Sequence, residues 1–144
     1  MLDTNVFNAL CDGNQKIFTF IDGKETFVTS AQIAELEKAS EPRRTMLILR
    51  VREMDPGKKS LKSAVWGYFK WGDDGVAWGA DGGHYEHLLL KLDEIKRGDR
   101  GNINDALIAE ACLVERLTLV TCDQGLATAM NHFRTGSAIN FAYS

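Results

Sequence analysis

No apolar run in the sequence approaches the ~20 residues that a bilayer-crossing helix needs, and Met1-Leu2-Asp3-Thr4-Asn5 lacks the basic and apolar regions of a secretory signal. A membrane-spanning helix is therefore not expected, no membrane partner is expected, and the cytoplasm is the expected location. Cysteine is scarce: Cys11, Cys112 and Cys122 are odd in number and contain no C-x-x-C pair. That argues against a disulfide framework and against a thiolate zinc site, and predicts reduced, buried thiols. Only 2 prolines, no internal repeat and no low-complexity tract punctuate the 144 residues, so one domain spanning residues 1–144 is expected. The net charge of -3 gives no sign of a nucleic-acid partner.

What is present is a globular composition, 44% hydrophobic and 26% charged. Met1-Leu2 can form only the end of a strand, and Asp3-Thr4-Asn5 the polar turn into a segment carrying Val6, Phe7 and Leu10. Residues 25–29 are rich in β-formers, and Thr29 to Gln32 has capping-box spacing for a helix with Ile33, Leu36 and Ala39 inward and Glu35 in its second turn. A basic amphipathic helix is predicted from Arg43 to about Glu53, using Met46, Leu47 and Leu49, and is stopped by Asp55-Pro56-Gly57. Ala64 to Gly83, with Trp66, Tyr68, Phe69, Trp71 and Trp78 around Asp73-Asp74-Gly75, reads as an aromatic hairpin-like insertion. A helix from about His84 to Lys96 follows, with Leu88, Leu89, Leu92 and Ile95 inward. Asn104 is the expected N-cap of a helix bearing Leu107, Ile108, Ala111, Cys112 and Val114, before a strand at 117–121, a helix from about Gly125 to Phe133 and a strand near Ala138 to Phe141. Alternating βα elements predict an α/β fold with a mainly parallel sheet covered on both faces.

In such sheets polar function gathers at the carboxyl ends of the strands. Asp3 and Asp123 occupy such ends, Asp105 a helix start and Glu35 the second turn of another helix, so four distant acids could meet in one crevice. Two like charges ~4 Å apart repel by about 4 kcal/mol at an effective dielectric near 20, so a cation or protons must compensate. Hard oxygen ligands point to Mg²⁺ or Mn²⁺, and to phosphodiester hydrolysis.

Asp3-Thr4-Asn5, Ala34-Glu35-Leu36, Asn104-Asp105-Ala106-Leu107-Ile108-Ala109-x-Ala111 and Leu117-Thr118-Leu119-Val120-Thr121-Cys122-Asp123 resemble, in order and spacing, the signature blocks of PIN domains, closest in flavour to VapC-type toxin ribonucleases. The resemblance implies a PIN-like α/β/α sandwich and an Mg²⁺- or Mn²⁺-dependent endoribonuclease, a hydrolase cutting RNA. It further implies the toxin role of a type II toxin-antitoxin system, an antitoxin partner and a homodimer. Carried over, Asp3, Glu35, Asp105 and Asp123 would hold the metal, and Thr121 would orient Asp123 or a water on the metal. Two departures stand out: only Met1-Leu2 precedes Asp3 where the family usually has several apolar residues, implying a shortened start, and the stretch from Ala64 to Gly83 is not typical of small toxins of the family.

Other readings compete. A degenerate PIN-like module could bind RNA or a protein through Trp66, Trp71, Trp78 and Lys70, although packing explains these rings as well. Seven basic residues against three acidic ones between Ser40 and Ala64 (Arg43, Arg44, Arg50, Arg52, Lys58, Lys59 and Lys62 against Glu41, Glu53 and Asp55) could face phosphate or simply be a solvated helix face. His84 and His87 lack a third soft ligand, Glu37 and Asp99 read as solvent-facing charges, and Gly79, Gly82 and Gly83 complete no phosphate-loop motif. A phosphatase would want a second acid where Asn5 stands.

Overall fold

The computed structural model describes residues 1–63 and 84–141. The expected aromatic hairpin lies outside the described residues. Before it come α1 (Thr4–Cys11), α2 (Gln15–Ile21), β1 (Phe27–Thr29), α3 (Ser30–Glu37), α4 (Arg43–Met54) and β2 (Gly57–Lys59). After it come α5 (Tyr85–Lys96), α6 (Asn102–Val114), β3 (Leu119–Thr121), α7 (Gln124–Phe133) and β4 (Ala138–Asn140). The chain is thus mixed α/β, with short strands that pair in parallel: Phe27 lies opposite Gly57, and Leu119 opposite Ala138.

The first residues run between these two ladders. Leu2 N–H donates to the Phe27 carbonyl at 2.9 Å, Val120 N–H to the Met1 carbonyl at 2.9 Å and Asp3 N–H to the Val120 carbonyl at 3.0 Å. Leu2 forms a parallel bridge to Val120, the short first strand expected from sequence. Because side chains alternate across a strand, Met1 and Leu119 join one apolar cluster, with Leu88, Leu92, Ile108, Leu126 and Met130 of α5–α7. Leu2 and Val120 join another, with Val6, Phe7, Ile17, Leu36 and Leu47 of α1–α4. Helices therefore pack on both sides of the strand segments, each fully buried large side chain contributing about 1.5–3 kcal/mol.

Several local expectations need correction. Asn104 is not a cap: α6 starts two residues earlier, behind Gly101, and Asn104 lies within its first turn. Asn102 Nδ2 instead donates to Asp93 at 2.8 Å and pins α6 to α5. Ile95 and Val114, expected inward, are exposed, as are Met46 and Leu49; α4 buries only Leu47 fully. β2, built from Gly57, Lys58 and Lys59, has little intrinsic strand preference and forms through its ladder to β1. Cys112 is buried, its thiol pushed up to about 12 by burial, but Cys11 and Cys122 are only half-buried.

The capping spacing at Thr29 does more than start α3. Thr29 N–H donates to Gln32 Oε1 at 2.5 Å, while Gln32 Nε2 donates to the Leu2 carbonyl, so one fully buried amide ties α3 to the first strand segment. Gln32→Leu keeps the volume but strands a buried N–H and a buried C=O. It should lower unfolding free energy by about 2–4 kcal/mol in urea denaturation; a loss within error would mean that both groups find other partners.

Candidate active site

Asp3 ends the first strand segment and caps α1. Its carboxylate is nearly saturated: Oδ1 accepts from Thr4 N–H at 2.8 Å, and Oδ2 accepts from Asn5 Nδ2 at 2.7 Å and Thr121 Oγ1 at 2.6 Å. Thr121, fully buried at the end of β3, also accepts from Asp123 N–H at 3.0 Å. Its hydroxyl therefore braces the Asp3 carboxylate and the Asp123 backbone together. Asn5 completes the brace, its Oδ1 accepting from Cys122 N–H at 2.9 Å. Polar side chains thus extend, beyond the last backbone bond from Asp3 to Val120, the link between one strand end and the next.

Asp105 lies in the first turn of α6, where the helix dipole favours an anion. Asp123 caps α7, its Oδ1 accepting from Leu126 N–H at 2.9 Å. Between the two carboxylates sits Lys96, the last residue of α5, with Nζ 2.6 Å from Asp105 Oδ2 and 2.5 Å from Asp123 Oδ2. The turn after α5 positions it: Arg97 and Gly98 take consecutive left-handed conformations, φ 53° and 71°, which fold α6 back along α5. Glu35 stands exposed at the rim, where Asn104 Nδ2 approaches its Oε2 at 3.4 Å. Asn104 Oδ1 is buried without a hydrogen-bond partner.

The acids act on one another. Burial pushes Asp3 above the usual carboxylate range against the hydrogen bonds from Thr121 and Thr4, and the charges of Glu35 and Asp123 add to the rise. Burial likewise raises Asp105 to about 6 in spite of Lys96, with Asp3 and Asp123 contributing repulsion. For Asp123 burial also works upward, but the Lys96 bond and the α7 amides outweigh it and the net shift is down. The two partners of one ammonium thus move in opposite directions: the Asp105 side chain is the more deeply buried, 19% exposed against 29%, and Asp123 alone also accepts from the α7 amides. For Lys96, burial works downward and the two carboxylates prevail, so its ammonium form is favoured.

The structure thus brings Asp3, Asp105 and Asp123 into one interacting set, with Glu35 at its edge. Among the described residues no three His, Cys, Asp or Glu side chains stand together as a ready-made metal cluster; the close convergence is of two carboxylates on Lys96. The donor chemistry nevertheless fits a hard divalent cation such as Mg²⁺ or Mn²⁺: oxygen donors, and an ammonium already held where two of them meet. The neighbouring Cys122 thiol is pushed up by burial and by Asp3, away from the thiolate a soft metal needs.

Sequence reasoning missed Lys96, Asn5 as an organiser, and Gly125. A Cβ on Gly125 would lie 3.0 Å from Lys96 Cε, 3.2 Å from Asp123 Oδ1 and 3.2 Å from Ile95 Cγ2, so this glycine leaves room for the lysine stem. A glycine inside a helix's first turn is itself the legible signal, since it costs helix stability unless something approaches closely. His84 and His87 are exposed and begin α5, at the opposite end from Lys96. Glu37 is exposed, and Asp99 accepts from Gly101 N–H in the α5–α6 turn. Of the basic stretch, Arg43, Arg44, Arg50, Lys59 and Lys62 pair with protein carboxylates. No protein-family model and no curated protein matches the chain.

A carboxyl whose folded-state pKa is raised binds its proton more tightly in the folded chain. Its stabilising effect is full below the unfolded value near 3.8 and is lost as pH rises through about 6. Metal-free protein should therefore melt at higher temperature near pH 5 than near pH 7. Asp105→Asn should flatten that slope and stabilise the fold at pH 7 by about 1–3 kcal/mol. A wild-type melting temperature that falls between pH 7 and 5, or a destabilised variant, would contradict the assignment.

Proposed function

We propose that the chain is a metal-dependent endoribonuclease of the PIN type, cutting RNA by hydrolysis of phosphodiester bonds. The observation that carries this reading is the electrostatic coupling of Asp3, Asp105 and Asp123, from three separate elements, with the Lys96 ammonium clasped between the last two. In support, the elements that deliver them are parallel strand ends and helix starts, with helices on both sides, as a PIN-like sandwich would have. Asp105 and Asp123 would hold a cation of the Mg²⁺ or Mn²⁺ kind, which when bound would supply positive charge for a phosphate and lower the pKa of water. The protein's own part is positional. Thr121 and Asn5 fix Asp3 and the Asp123 backbone, the α6 and α7 N-termini favour anionic groups beside them, and Glu35 stands exposed at the rim. A toxin role, an antitoxin partner and a homodimer belong to the same reading, and among the described residues no helix is long and apolar enough to cross a membrane.

One observation favours a second reading. Lys96 already neutralises two of the acids, as a permanent replacement for a metal would, which suits a non-catalytic RNA-binding or protein-interaction module. Cleavage of a labelled single-stranded RNA separates the two. The nuclease should need Mg²⁺ or Mn²⁺, stop on chelation, and fall at least about a hundredfold in Asp105→Asn and Asp123→Asn. Absence of cleavage with either ion, or cleavage by both variants at the wild-type rate, would overturn the proposal.

A further inference from the structure

We propose that Lys96 is an internal counter-cation that competes with a divalent metal for Asp105 and Asp123, so that metal enters this site by ion exchange. The inference rests on the metal-site reading above and deepens it. Lys96 donates to both carboxylates at 2.5–2.6 Å, and its side chain is only 18% exposed. Two cations do not share that space: the ammonium must leave before a metal can take the same two oxygens, because like charges at contact distance repel strongly where water is scarce.

The site is built for the lysine and for its departure. Gly125 carries no Cβ to crowd Lys96 Cε, so the stem is accommodated at the start of α7 at the cost of helix propensity. Lys96 is also the last residue of α5, followed by the exposed Arg97 and Gly98, so rotation about its flexible four-carbon stem carries the ammonium to solvent without unwinding a helix. The ammonium keeps the carboxylates compensated when no metal is bound. Metal affinity is then set by the difference between two cations. In this arrangement Lys96 is a positioning residue that tunes occupancy.

The test is Mn²⁺ binding, read by calorimetry and by the electron paramagnetic resonance of free Mn²⁺, with no RNA present. Lys96→Met removes the competitor, and Lys96→Gln removes its charge while keeping a hydrogen-bond donor for the carboxylates, which protects the fold. Both should bind Mn²⁺ at least about tenfold more tightly than the wild type, whereas Lys91→Met, which removes a charge paired with Glu94 on the same helix, should stay within about twofold. Tighter binding in both Lys96 variants that is lost on adding Asp123→Asn supports exchange, even where the wild type binds too weakly to measure. Asp123-dependent binding that is equal or weaker in both variants overturns exchange and leaves the metal site standing. No Mn²⁺ binding in the wild type or either variant overturns both.

Discussion

Repulsion among carboxylates in a partly dehydrated crevice is the constraint on which the rest of this structure turns. Asp3 is buried, Asp105 nearly so, and Asp123 and Glu35 bear on them from two further elements. Such a set survives folding only if each charge is met by something. Asp3 is met by a backbone amide, an amide side chain and a hydroxyl, Asp123 by the start of α7, and Asp105 together with Asp123 by the Lys96 ammonium. The residual cost shows as raised pKa values at Asp3 and Asp105, the mark of groups held in place against their own solvation.

The architecture serves this arrangement with very little strand. So little strand suffices because it needs only to bring a few residues to a common edge: Asp3 after the bridge at Leu2, and Thr121 and then Asp123 after Val120. The apolar alternation of Met1 and Leu2, and of Leu119 and Val120, anchors those ends between two clusters, so the polar residues that follow inherit fixed positions. For the hydrolysis proposed above, rigid delivery would matter, since most of a protein's contribution to phosphate chemistry is orientation and preorganised charge. The tight α5–α6 turn delivers Lys96 by the same logic.

Much of the site was legible in the sequence, because strand ends and helix starts are where polar residues interrupt strong apolar patterns. Asp3 after Met1-Leu2, Asp123 after the run ending at Thr121, and Asp105 before the apolar stripe of α6 all stand at such breaks. Lys96 was not legible: a lysine ending an amphipathic helix is ordinary, and only the back-folding of α6 turns it toward Asp105. Asn5 was hidden for a related reason, since its partners Thr121 and Cys122 lie over a hundred residues away in sequence. In the fold, α2 and β2 were missed because each is short and poor in its own signal. The outward turn of Ile95 and Val114 reflects a register that periodicity alone leaves free by a residue.

The proposed metal site and the ion exchange built on it turn on the same two oxygens, Asp105 Oδ2 and Asp123 Oδ2, which the Lys96 ammonium bridges. Anomalous diffraction from crystals soaked in Mn²⁺ tests this most directly. The expected result is one strong peak in contact with Asp105 and Asp123, with the Lys96 side chain turned away from both. Mn²⁺ bound only elsewhere, with Lys96 still clasped between the two carboxylates, would contradict it.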